Sequence, residues 1–320
     1  MSGVSTNLPA PERSIRPPEL SDAETILELV AAYNTAIVGF ADYTLDEVRD
    51  DLVEPGFDPT RDGWLVFEPS GRLAGYGWAY ANGDSDRVDV DVITSDPELA
   101  DRMFDLVSER AREMARERGH GQVTLDKGIY RVDPMHAVLE ARGFAPATTF
   151  QRMRIDHAGV VAEPQPPPGL SLRPATDDAT RRDAHQVQKA AFADHFGWEA
   201  KSYSEWLDLH EAKSTFVWEQ LSVADLDGRP VAICECTDQF IEDEDCGYVA
   251  SLGVLPEARG RGIASYLLRR AFAVDAAAGR TGTILHVDSN NTTPAVGLYE
   301  SVGMRSVLVV DIWRTTIPVD

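Results

Sequence analysis

Cysteine is scarce in this chain: there are 3 in 320 residues, Cys234, Cys236 and Cys246. So small and odd a set does not read as a disulfide framework. Cys234 and Cys236 form C-x-C with too few further ligands at metal spacing for a zinc site, so no metal is expected. They sit in "VAICECTDQF", a strand candidate in which buried thiols are expected. Positive charge is also short: Lys and Arg number 30 against 53 Asp and Glu, a net charge of -23. That excludes the basic footprint a nucleic-acid partner needs. An acidic surface attracts cationic amines, although its commoner role is solubility. Long apolar runs are missing too. No stretch approaches membrane-spanning length, and the opening "MSGVSTNLPAPERSIRPPEL" has no apolar centre of a signal peptide. The expectation is a cytoplasmic protein with no membrane partner, either a monomer or a homodimer.

Core-forming residues are plentiful, with 43% hydrophobic and 8% aromatic. The length suits two domains of ordinary size. The clearest break is "HAGVVAEPQPPPGL", where Pro164, Pro166, Pro167 and Pro168 stop regular structure. The two sides of it look alike. "SIRPPELSDAETILELVAAYN" and "LSLRPATDDATRRDAHQVQKAAF" both read as a short strand, a polar turn and an amphipathic helix. At the far ends, "LEARGFAPATTFQRMRI" lines up with "YESVGMRSVLVVDIWRTTI", matching Gly143 to Gly303. Two similar ends at nearly constant offset indicate a tandem duplication. The expected division is 1–157, a linker at 158–169, and 170–320.

Each copy reads as mixed α/β. In the second, three strand candidates come first, with Asp227 and Gly228 as a hairpin turn. A helix is expected from about Gly260 to Ala278, with Ile263, Leu267, Leu268, Ala271 and Phe272 on one face. The strand "GTILHVDS", a short helix around "TPAVGLYESVG" and the strand "RSVLVVDIWRTT" follow. This order predicts a largely antiparallel, mixed sheet with helices on both faces.

The chemistry concentrates in "ARGRGIASYLLRRAF". A helix N-terminus carries unpaired amides and a partial positive charge. A turn without Cβ atoms lets a phosphate approach them, and Arg259 and Arg261 add charge. Three readings stand at this point: a dinucleotide site, a purely structural turn, or the cradle of another pyrophosphate-bearing cofactor. The dinucleotide fingerprint G-x-G-x-x-G is incomplete, because Ser265 stands where the third glycine belongs.

The stretch resembles the acetyl-CoA site of the GNAT superfamily of N-acetyltransferases, whose pattern [Q/R]-x-x-G-x-[G/A] is filled by Arg259, Gly262 and Ala264. "SLGVLPEARG" resembles that family's fourth strand and loop, and "VDSNNTTPAVGLYESVGM" its asparagine and L-Y-E-x-x-G-[F/M] helix. Two such domains in one chain resemble the tandem branch of the family that includes mycothiol synthase. The resemblance implies two tandem GNAT-type domains and acetyl-CoA as co-substrate. It also implies roles. Leu252, Gly253 and Val254 would line the acetyl and pantetheine path, and Arg259, Gly260, Arg261, Gly262, Ile263, Ala264 and Ser265 would cradle the pyrophosphate. Asn291 would bond the pantetheine region, and Tyr299 would protonate the departing thiolate. Structural alternatives remain: Asn291 as a helix cap, and Tyr299 as a core aromatic.

The first copy reads differently at the matching place. "SDPELADRMFDLV" has no glycines, puts Asp96, Glu98 and Asp101 at the helix start, and leaves Leu139 where Tyr299 stands. Acids there suit the helix dipole and repel a phosphate, so this copy is expected to be degenerate.

An amine must lose a proton before it attacks. The family resemblance implies a glutamate on the fourth strand, but the counted position holds Tyr248, which departs from that pattern. Glu235 is the leading substitute, with Asp238, Glu244 and Asp245 as alternatives. His195 and Trp198, with Trp206, are candidates for an acceptor pocket in "FADHFGWEAKSYSEW", against a reading of the tryptophans as plain core. The expected activity is transfer of acetyl to a small-molecule amine. The alternative is a non-catalytic module that binds or senses acyl-CoA.

Overall fold

The run RVDVDVI, Arg87–Ile93, alternates strictly, and Val88, Val90 and Val92 are buried while the charged residues between them are only half-buried. One apolar face per strand is what a sheet covered by a helix on that face demands. The computed structural model describes residues 13–81, 83–193, 195, 198–289 and 295–319. In the first half, strands β1 (Ser14–Arg16), β2 (Gly63–Phe67), β3 (Leu73–Ala81), β4 (Arg87–Ile93), β5 (Gln122–Tyr130) and β6 (Ala145–Asp156) alternate with helices. These are α1 (Ala23–Val38), α2 (Leu45–Leu52), α3 (Pro59–Asp62), α4 (Pro97–Glu117) and α5 (His136–Ala141). The second half repeats the plan with β7 (Leu170–Pro174), β8 (Leu221–Leu226), β9 (Arg229–Thr237), β10 (Cys246–Val254), β11 (Gly282–Asp288) and β12 (Arg305–Pro318). Its helices are α6 (Asp178–Ala191), α7 (Tyr203–Glu211), α8 (Ile241–Glu244), α9 (Ile263–Ala277) and α10 (Ala295–Ser301). No helix among the described residues is long and apolar enough to cross a membrane.

The sheet is mixed and mostly antiparallel, with helices on both faces, as the order of elements predicts. Its continuity is the new feature. The strands form one 12-stranded sheet in the order β1-β2-β3-β4-β5-β12-β6-β11-β10-β9-β8-β7. The last strand of each half lies beside the other half's strands: β12 pairs with β5, and β6 pairs with β11. Both end strands are antiparallel to their neighbours, so either satisfies the same edge. Met153 of β6 accordingly belongs to the second half's core, with Leu267, Leu268 and Leu285, and Trp313 of β12 belongs to the first half's core.

Helices α4 and α9 back one face; α1 and α2, with α6 and α7, cover the other. Among the described residues, the parallel pairing within each half is short. β4 meets β5 from Arg87 to Asp89, and β10 meets β11 from Cys246 to Val249. Beyond those points the strands diverge, and β10 carries a bulge against β9 between Val249 and Ser251. The divergence opens a wedge where backbone groups of β10 lose their sheet partner.

Candidate functional site

The Asp227 and Gly228 hairpin turns with φ of 52° and 76°, as the dipeptide predicts. It sets β8 against β9 and so places β10 between β9 and β11. At the end of β10 the chain enters the glycine–arginine turn. Gly260 and Gly262 sit at φ +75° and +77°, a region that side chains with a Cβ rarely adopt. These left-handed positions delay the helix, which starts at Ile263 and not at Gly260. Gly262 is its N-cap residue, and no side-chain cap bond forms there among the described residues. The first amides of α9 are thus left to whatever fills the space in front of them. A Cβ added at Gly260 or Gly262 meets no atom within 4 Å.

That space is a cavity of about 380 Å³. Leu252, Gly253 and Val254 form its strand wall. Arg259, Gly260, Gly262, Ile263, Ala264 and Ser265 form the turn and the first helical turn. Tyr299 closes it from α10, with Ala295 and Leu298 beside it, and His195 from the loop after α6. Residues far apart in sequence therefore converge on one cleft. Arg259 folds back so that its Nε donates to the Val254 carbonyl at 3.1 Å, pinning the turn to the strand end. Arg261 is exposed and outside the lining. Asn291 lies outside the described residues. Gly253 lets α6 approach: a Cβ there would stand 2.9 Å from the Ala191 Cβ and 2.8 Å from the Phe192 ring.

Tyr299 is buried, and burial, with Cys234 nearby, pushes its phenol up to about 12. It therefore holds its proton at neutral pH and is a donor into the cleft. Cys234 and Cys246 are buried thiols, and Cys236 is half-buried.

Glu235 does not line the cleft. It points from the other face of β9 and is 4% exposed, with Oε1 3.5 Å from His210 Nε2. Burial alone would raise its carboxyl; the His210 ring beside it outweighs that and holds it below the usual value. Trp206, Phe216 and Trp218 surround His210, with ring centroids 4.3 to 5.6 Å away. Glu235 does lie directly across the ladder from Ser251, the residue before Leu252. Ser251 in turn receives a hydrogen bond from Gln188, which accepts one from Trp206 at 2.6 Å. His210 and Gln188 had a legible signal only in the spacing of their helices. His210 stands one turn after Trp206.

The other carboxylates also stand outside the cleft. Asp238 binds Arg280 and Gln220, and Glu244 binds both Arg152 and Arg154. Asp245 terminates α8 in a left-handed conformation at φ 50°. Trp198 packs on Phe192 at 5.3 Å and is not in the lining; Trp206 is core. Tyr248 is pushed up strongly by burial, and its hydroxyl lies 3.0 Å from His286 Nδ1.

The helix start at the matching place in the first half is built differently. Asp96 caps α4 and accepts from the amides of Glu98 and Leu99, taking the donors that the turn before α9 leaves free. Arg13 also binds Asp96, at 2.7 Å. Leu139 is fully buried core.

Residues 181–304 match the acetyltransferase (GNAT) family model. Mycothiol acetyltransferase of Streptomyces griseus is 34% identical over 158 residues, 48% of this chain and 49% of that protein, so the chain spans about half the length of the curated relative it matches. Among solved structures, a GCN5-related N-acetyltransferase from Sphaerobacter thermophilus covers 96% of both chains at 24% identity and a TM-score of 0.77. A tandem GNAT protein from the clavulanic acid biosynthesis pathway covers 97% of this chain and 100% of its own, at 16% identity and a TM-score of 0.71. At those identities the likeness speaks for the fold alone, and the family match is what assigns the second half. Residues 181–304 of this chain form an acetyltransferase domain of the GNAT family.

Proposed function

We propose that the protein is an acetyl-CoA-dependent N-acetyltransferase whose second half is active, acting on the amine of a small molecule. One observation carries this reading: uncapped α9 amides, an open glycine turn, the diverging end of β10 and a protonated Tyr299 share one cleft. The fit to coenzyme A is physical. Helix-start amides with no side-chain competitor suit a pyrophosphate, and a strand edge without a partner suits the amide-bearing pantetheine arm. Bound acetyl-CoA would supply an already activated acyl group, so no acetyl-enzyme is required.

The chain's own residues then have three tasks. The backbone N–H near Leu252 donates toward the carbonyl oxygen, where negative charge develops. Tyr299 gives its proton to the sulfur as the C–S bond breaks. A base takes the proton that the amine must lose. Glu235, held by His210 behind Ser251, is our assignment for that base, reached through water. His195, on the cleft wall, and Trp198 behind Phe192 are proposed to shape the acceptor side. We further propose that 1–157 and 170–320 are two GNAT-type units joined by 158–169, the first without a coenzyme A site.

A second reading, an acyl-CoA-binding sensor without turnover, is favoured by one fact: among the described residues no carboxylate lines the cleft. Incubation with acetyl-CoA and a panel of primary amines, following free thiol, separates the two. Amine-dependent thiol release supports the transferase. Tight binding of coenzyme A with no release for any amine supports the sensor.

A further inference from the structure

A second cavity, of about 300 Å³, lies on the α1 and α2 face where β4 and β5 diverge. It has no link to the glycine turn, and acetyl transfer gives it no role. Tyr33, Tyr76, Trp78 and Tyr130 supply aromatic walls, and Asp42, Asp51, Asp91 and Asp133 supply carboxylates. The described cations that face it are Lys127 and Arg152. Lys127 is matched to Asp91 at 2.6 Å. Arg152 is divided between Asp42 at 2.5 Å and Glu244 at 2.8 Å.

The ledger of charge does not close. Among the described residues, the buried Asp133 forms no ion pair, and neither does the exposed Asp51. Asp51 accepts from the Tyr43 hydroxyl, and Asp133, 3% exposed, accepts from Tyr33 at 2.9 Å and from the Met135 amide. Asp42 Oδ1 and Asp91 Oδ1 are buried with no aligned hydrogen-bond donor, despite the nearby cations. Tyr33, Tyr76 and Tyr130 are all driven up, by burial first and by the neighbouring aspartates next. Buried negative charge in excess of its partners is costly, and a cation entering the cavity relieves it. Aromatic faces beside carboxylates are the surroundings that hold an ammonium group. The volume is at the lower end for a small-molecule site.

We infer that this cavity binds a small aliphatic amine as its ammonium ion, with Asp91 and Asp133 as the main anionic contacts and Tyr76 and Trp78 as the aromatic ones. The site is walled mainly by the first half, with His286, Leu308 and Val310 from the second, and is separate from the cleft in front of α9. It stands whether or not the second half transfers acetyl groups.

Putrescine is the probe, with 1,4-butanediol as its uncharged isostere. In the full chain, methyl NMR signals of Ile93, Leu308 and Val310, which wall the cavity, should shift with putrescine and not with the diol. Asp133→Asn combined with Asp91→Asn should weaken calorimetric binding by roughly tenfold or more. Gly262→Glu, in the other cleft, should leave it unchanged. Shifts confined to Leu252, Val254 and Ile263 would place the amine in the cleft of the second half and overturn the inference while leaving the transferase reading intact. So would equal binding of the diol, or no binding of putrescine at about 10 mM. The methyl shifts need no variant, so the test holds even if the double substitution fails to fold.

Discussion

Met153 lies directly opposite Leu285 across the β6–β11 ladder, and both are buried in the core beneath the cleft. One comes from each half of the chain. A fragment of residues 158–320 would therefore lose both β6 and Met153, exposing the edge of β11. An exposed apolar edge associates. Such a fragment should aggregate or dimerise in size-exclusion chromatography, and co-expression with 1–157 should restore a soluble species. A monomeric fragment with native circular dichroism would contradict this.

Gly262→Glu puts a carboxylate at the head of α9 and forces a side chain to φ +77°. Both effects oppose a pyrophosphate, and calorimetry with coenzyme A should show affinity reduced by about a hundredfold or more. Asp101→Ala, on the first half's helix α4, should change nothing. Retained affinity in the glycine variant would remove the pyrophosphate from the turn.

Tyr299→Phe keeps the ring in its packed place and deletes one proton donor. Turnover should fall by roughly a hundredfold with little change in coenzyme A affinity. Unchanged turnover would take Tyr299 out of the reaction.

Glu235→Gln keeps the shape and removes the charge. In the folded protein the Glu235 carboxyl lies below its ordinary value, so its contribution to stability is present above about pH 4.3 and is lost as pH falls through the folded value. Acid denaturation followed by fluorescence should show that this part of the pH dependence is missing in the variant. At neutral pH, a folded variant with normal coenzyme A affinity and much lower turnover identifies the base; normal turnover leaves Glu235 as a partner of His210 alone.

His286 accepts from Arg152 Nε at 3.1 Å through Nε2, because guanidinium only donates; its Nδ1–H then points at the Tyr248 oxygen. Burial, and then the Arg152 charge, pull the ring down to about 3. The unfolded chain binds a proton near pH 6.5 that the folded chain refuses, so stability falls as pH drops below that value. Urea denaturation should lose about 2 kcal/mol between pH 7 and pH 5 from this group alone. In His286→Gln that difference should shrink by the same amount; an unaltered slope would mean the ring charges in the folded state.

The chain's local features were legible before any fold was known. The Asp227 and Gly228 turn, the apolar face of α9 and the glycine turn before it depend on neighbours within a few residues, and periodicity and backbone freedom record those directly. The contrast between Gly262 and Asp96 was equally plain, because a helix cap is a local device.

Other features were decided by contacts between residues that are not neighbours in the chain. Strands β6 and β12 have similar patterns and either could lie beside either half, so their exchange became visible only when Met153 met Leu285 and Trp313 met the first half's core. Glu235 and Cys234 are adjacent in sequence, yet the pleat sends one to His210 and the other toward Tyr299. The imbalance between Asp133, Asp91 and Lys127 exists only where α1, β4 and β5 surround a common space, because charge counts against burial and not against position in the chain.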